Sequence, residues 1–82
     1  MQLLEGTITE KQQGLRASFQ GVERPYVRAV VSRQDAPDVM RHVRIYDVEE
    51  IQQQVGDAIR LEVLRVTTDR KTGTVWFDCK LA

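Results

Sequence analysis

The residues with most chemistry to offer are arginines and tyrosines, crowded into one half of the chain. Between Lys11 and Tyr46 the cations are Lys11, Arg16, Arg24, Arg28, Arg33, Arg41 and Arg44, against only Glu23, Asp35 and Asp38. A guanidinium lies flat on rings and grips phosphate oxygens with a fork of N–H donors, which a lysine ammonium cannot do. Cations that follow phosphates and rings that receive bases are the two parts of a surface for single-stranded nucleic acid, and each stacked base is worth roughly 1–3 kcal/mol. The candidate contact residues are Arg16, Arg24, Tyr26, Arg28, Arg41, Arg44 and Tyr46. Strict alternation turns Arg41 inward at the start of its strand, and it is grouped with them as the cation that opens it. The plainer role of these residues is a solvated sheet face, where Arg and Tyr pair across strands. An acidic partner protein would suit the same field. That field is local, because the whole chain balances 12 Lys and Arg with 12 Asp and Glu.

Other chemistry is poorly supplied. His42 and Cys79 are the only histidine and cysteine, and alternation directs them to opposite faces. A nucleophile needs its base within hydrogen-bond reach and a third group to orient the base, so no enzyme is expected. Glu49 and Glu50 are adjacent and point apart, and no histidine accompanies them, so neither a metal nor a cofactor is expected. A lone cysteine forms no internal disulfide, and beside Phe77 and Leu81 it reads as a buried structural thiol. A second patch comes from Trp76, which alternation turns outward with Leu64 and Val66. An exposed apolar cluster of this kind suggests a homodimer contact or docking on a larger assembly. The alternative function is therefore a small protein-interaction module.

The elements that position these residues are mostly strands. Leu4, Gly6 and Ile8 fall on one face of a first strand, and Lys11–Gly14 reads as a turn. Leu15, Ala17 and Phe19 then point inward, opposite Arg16, Ser18 and Gln20. Gly21–Pro25 is a connector, followed by Val27, Ala29 and Val31 facing inward and a strong turn signal at Gln34–Asp38. Val43 and Ile45 mark a fourth strand. Asp47 and Glu50 have capping-box spacing ahead of Val48, Ile51 and Val55, with Gly56 as the stop, which predicts a short helix. Ile59, Leu61 and Val63 alternate next, Asp69–Gly73 closes a hairpin, and Val75, Phe77, Cys79 and Leu81 complete a last strand. The expected fold is mainly β: one domain over residues 1–82, a small OB-fold-like antiparallel β-barrel with one short helix before the final hairpin. An SH3-like barrel and an open sheet carrying a helix are the competitors. No apolar run reaches the roughly 20 residues of a membrane span. The start Met1–Glu5 lacks the pattern of a signal peptide, so a cytoplasmic location is expected.

Gly21-Val22-Glu23-Arg24-Pro25-Tyr26 resembles the Gly-x-Pro-Tyr-like turn that enters a strand in the small single-stranded-DNA-binding proteins of filamentous phages. Here three residues rather than one separate Gly21 from Pro25. The last strand, Val75–Ala82, is similar in character to theirs, as is the chain length. The resemblance implies an OB-type barrel that dimerises and coats single strands with little sequence preference. Tyr26 would be the base-stacking or interface residue carried over.

Overall fold

The computed structural model describes all 82 residues, Met1–Ala82, and contains five strands and no helix. They are β1 (Gln2–Phe19), β2 (Val22–Arg33), β3 (Met40–Tyr46), β4 (Ala58–Thr68) and β5 (Val75–Leu81). Their order around the sheet is β1-β2-β3-β5-β4, closed into a barrel. All neighbours are antiparallel except β3 and β5, which run parallel from His42–Trp76 to Ile45–Cys79. A closed five-stranded sheet of this kind is a small OB-like barrel, and closure removes the sheet edges that would otherwise recruit other chains. With no helix present, no helix is long and apolar enough to cross a membrane.

Alternation builds the core. Val27, Ala29 and Val31 of β2 meet Val43 and Ile45 of β3, and Leu4, Ile8, Ile59, Leu61 and Cys79 complete the cluster from the other strands. Closure depends on β1, which serves two neighbours at once: Gly6 pairs with Arg33 of β2 and with Ile59 of β4. A Cβ on Gly6 would lie 2.0 Å from the Ser32 carbonyl oxygen and 2.7 Å from Val31 Cγ1. Only glycine permits that approach.

Cys79 has no exposed surface. Burial, with the Asp78 charge as a lesser cause, pushes its thiol from an ordinary 9.0 up to about 12. The folded chain therefore keeps its proton where the unfolded chain loses it. This contribution to stability is complete below about pH 9 and is lost as pH rises towards about 12. Native protein at pH 8 is expected to resist iodoacetamide and to react fully in denaturant; native labelling at the denatured rate would contradict this burial.

Three sequence expectations are corrected. The helix from Asp47 is absent: residues 47–57 form an irregular loop along β1. Asp47 has φ 64°, not the extended backbone of an N-cap, and its carboxylate is taken by Arg24. The loop's backbone groups bond to β1 instead, through Gly56 N–H to the Ile8 carbonyl and Ile8 N–H to the Asp57 carbonyl, while Ile51 enters the core. Lys11–Gly14 is not a turn, since β1 runs through it as one strand with a bulge between Gln12 and Leu15 in which Gly14 takes φ 74°. Finally, Leu15, Ala17 and Phe19 do not face the core. They pair with Tyr26, Arg24 and Val22, Tyr26 and Arg24 lying on the outer face, and Phe19 is 57% exposed. The two bulges of β1, after Ile8 and after Gln12, each shift the alternation by one residue and together cancel, so with no turn at Lys11–Gly14 the odd-numbered residues keep the outward side they have at Leu3 and Glu5. The turns at Gln34–Asp38 and Asp69–Gly73 form as expected, the second held by Asp69 N–H to the Thr74 carbonyl and Gly73 N–H to the Asp69 carbonyl.

A candidate nucleic-acid interface

Partners across strands share a face, so the register lays out the outer surface of β2, β3 and β5 in rows. One row pairs Leu15, Tyr26 and Tyr46. The next runs Gln12, Arg28, Arg44, Asp78, Arg65 across all five strands. A third holds Glu10, Val30, His42, Trp76 and Thr67. A polar row thus lies between two aromatic ones. The Tyr26 and Tyr46 rings are 5.6 Å apart, and His42 and Trp76 are 5.3 Å apart. Arg24 stands 5.3 Å over Tyr46, and Arg44 stands 5.0 Å over Trp76, within cation–π reach.

Asp78 is the anchor of the polar row. Its side chain is only 3% exposed, yet its carboxylate accepts hydrogen bonds from Arg44 Nε at 2.9 Å, Arg65 Nε at 3.1 Å and the Thr67 hydroxyl at 3.1 Å. Both guanidiniums are held by Nε, which leaves their terminal N–H forks free of protein partners. Two arginines on one carboxylate also leave a net positive charge. Arg28 adds another, since it donates only to the Gln12 side-chain oxygen. Tyr46 is kept protonated well into the alkaline range because burial raises its hydroxyl pKa.

Two clefts flank this face. One, of about 530 Å³, is bounded by Glu10, Lys11, Gln12, Arg28, His42, Thr74 and Trp76. The other, of about 350 Å³, lies between the β1–β2 arm (Ala17, Phe19, Arg24) and the sheet (Tyr46, Leu64, Arg65, Asp78). Arg70 and Lys71 on the β4–β5 turn have no carboxylate partner and stand close in sequence to Thr74 at the first cleft.

The structure brings Arg24, Tyr26, Arg28, Arg44 and Tyr46 together on this face. Arg24 is already paired with Asp47 through two hydrogen bonds of 2.9 and 2.6 Å, and that pairing lowers the carboxyl pKa of Asp47. Arg16 lies apart, bonded to Glu49 of the 47–57 loop. Arg41 is also apart: it stands 5.6 Å over Phe77 and borders a different cleft with Glu5 and Asp35. The three residues of the apolar patch are divided. Val66 pairs with Phe77 while Trp76 pairs with Thr67, so they point to opposite faces, and Leu64 borders the cleft under the arm. A bulge between Val63 and Arg65 is the cause: one extra residue puts Arg65 and Thr67 outward where alternation placed Leu64 and Val66. Trp76, Arg65 and Phe19 are additions to the face, and His42 lies on it as alternation placed it. Lys11, in register with buried Ala29, borders the first cleft but donates its ammonium to the Gln53 carbonyl and the Gln54 side-chain oxygen of the 47–57 loop. Trp76 and His42 carried an outward signal in the sequence, but only the parallel β3–β5 pairing sets them side by side.

No metal-binding group of three or more His, Cys, Asp or Glu side chains is present. No protein-family model, curated protein or solved structure matches the chain.

Proposed function

We propose that this barrel is a non-catalytic protein that binds single-stranded nucleic acid across the outer face of β2, β3 and β5. The observation that carries the reading is the polar row of Arg28, Arg44 and Arg65 set between Tyr26–Tyr46 and His42–Trp76, with free guanidinium forks at Arg44 and Arg65. Unstacked bases have flat faces for such rings, while a duplex hides them, so single strands are the ligand that fits. In barrels of this topology the strand 2–3 face with its flanking loops is where oligonucleotides and oligosaccharides dock. The likeness of Gly21, Pro25 and Tyr26 to the phage turn points the same way. The interaction-module reading needs Leu64, Val66 and Trp76 in one patch, and their separation leaves it without a specific support.

Trp76 is the only tryptophan, so its fluorescence reports directly on the face. Titration with oligo-dT at low salt is expected to quench it saturably, with anisotropy of a labelled oligonucleotide rising in parallel. Each phosphate contact on a single strand contributes about 0.7 to the slope of log K against log salt. Arg28→Ala, at an exposed side chain without a carboxylate partner, should weaken binding and lower that slope by about 0.7. Neither quenching nor an anisotropy change at low salt would overturn the reading.

A further inference from the structure

Phe19 is a large ring that the fold leaves outside its core. It ends β1 and is 57% exposed, and Leu64 across the cleft is 55% exposed. The arm that carries Phe19 extends past the end of β3, because β2 pairs with β3 only from Tyr26 to Ser32 and its last backbone bond on that side is Asp47 N–H to the Pro25 carbonyl. The space beneath is the cleft of about 350 Å³ bordered by Ala17, Phe19, Arg24, Tyr46, Leu64, Arg65 and Asp78. Its walls are apolar or aromatic at Phe19, Leu64 and Tyr46. Its two cations differ in availability: Arg24 is engaged at both Nε and Nη2 by Asp47, whereas Arg65 is held only at Nε and is 63% exposed. The one carboxylate in it, Asp78, is consumed by Arg44, Arg65 and Thr67. A flat apolar slot beside one open guanidinium fork matches a nucleobase with its phosphate.

We infer that this cleft is a separate subsite for one unpaired nucleobase, with Phe19 as its stacking ring and Arg65 as its phosphate clamp. The inference rests on the nucleic-acid reading and adds residues of β1 and β4 to it. A base reaches the slot only when flipped away from its neighbours, so the subsite favours single strands over duplex.

The two residues should fail in different ways. Phe19→Ala is expected to weaken oligo-dT binding about 5- to 150-fold, the range for one lost stacking contact, with the salt slope unchanged. Arg65→Gln should weaken binding and lower the slope by about 0.7. Phe19→Trp should retain affinity and, in a Trp76→Phe background, give a signal at position 19 that oligo-dT quenches. Phe19 is exposed, so the variants at position 19 are expected to melt like the parent, whereas Arg65→Gln also removes a partner of buried Asp78 and its binding is read beside its own melting curve. Parent-level affinity in Phe19→Ala, while Arg28→Ala still weakens binding, would overturn the subsite and leave the main face standing. Loss of self-association in Phe19→Ala by sedimentation, with oligo-dT affinity unchanged, would overturn it too and assign the ring to a protein contact. Absence of parental binding would overturn the face and the subsite together.

Discussion

Gly6→Ala is expected to cost about 3 kcal/mol or more, a large share of the stability of a chain of this length. The added methyl would sit 2.0 Å from the Ser32 carbonyl oxygen, and that atom is backbone, so no rotamer change relieves it. β1 would have to separate from β2 at the residue where it also pairs with β4, which opens the barrel at its seam. Overpacking of a core by one methylene group already costs about 1–3 kcal/mol where side chains can give way. A chain of this length has only about 4–12 kcal/mol to lose. Urea unfolding followed by circular dichroism measures the effect. Gly14→Ala is the control: φ is 74° there but the space is empty, so only the backbone cost of about 1–2 kcal/mol applies. Equal losses at the two glycines would remove the close-approach explanation.

The second large effect lies under the binding face. Replacing Arg44 and Arg65 together with alanine leaves the 3% exposed Asp78 carboxylate with the Thr67 hydroxyl as its one side-chain donor. Stripping a buried charge of its partners is expected to destabilise the fold by about 3–5 kcal/mol. Adding Asp78→Ala to that double variant should then recover much of the loss, because the stranded charge goes with it. The cycle separates charge from packing: a triple variant no more stable than the double would show that Asp78 is not held by these arginines. Binding experiments on Arg44 and Arg65 inherit this coupling, since affinity would fall with the stability of the face as well as with the lost contact. Arg28, whose side-chain partner is the neutral Gln12, is free of it.

The proposed face also has a definite charge logic. Part of the chain's carboxylate charge is taken up by pairing, Glu49, Asp47 and Asp35 with Arg16, Arg24 and Arg33, while Glu10 has no cationic partner and borders the first cleft with Arg28. Lys11, Arg28, Arg41, Arg70 and Lys71 remain without carboxylate partners, and all but Arg41 border the first cleft or stand on the adjoining β4–β5 turn.

Much of the fold was legible in the residue order alone. Val27, Ala29 and Val31, Val43 and Ile45, Ile59 and Leu61, and Cys79 are buried where their alternation placed them, and the turns at Gln34–Asp38 and Asp69–Gly73 fall at their Pro, Asp and Gly signals. These features depend on near neighbours, and a period of two is readable over any unbroken run. Tyr26, Arg28, Arg44 and Tyr46 share a face for the same reason. The rest was decided by closure of the barrel. Bulges after Ile8, Gln12 and Val63 each add a residue to one strand, and past each of them every side chain exchanges inside for outside. The two exchanges in β1 cancel, so Phe19 lies outward like the odd-numbered Leu3 and Glu5 before them, whereas the single exchange in β4 turned Arg65 outward and separated Val66 from Trp76. The loop at 47–57 is tied to β1 through Ile8 and Gln13 and to β2 through the Pro25 carbonyl, and the Asp47 carboxylate is taken by Arg24, so the capping-box pattern at Asp47 produced no helix. A local pattern cannot carry this information, because a bulge is placed by how strands must bend to meet their partners around the barrel.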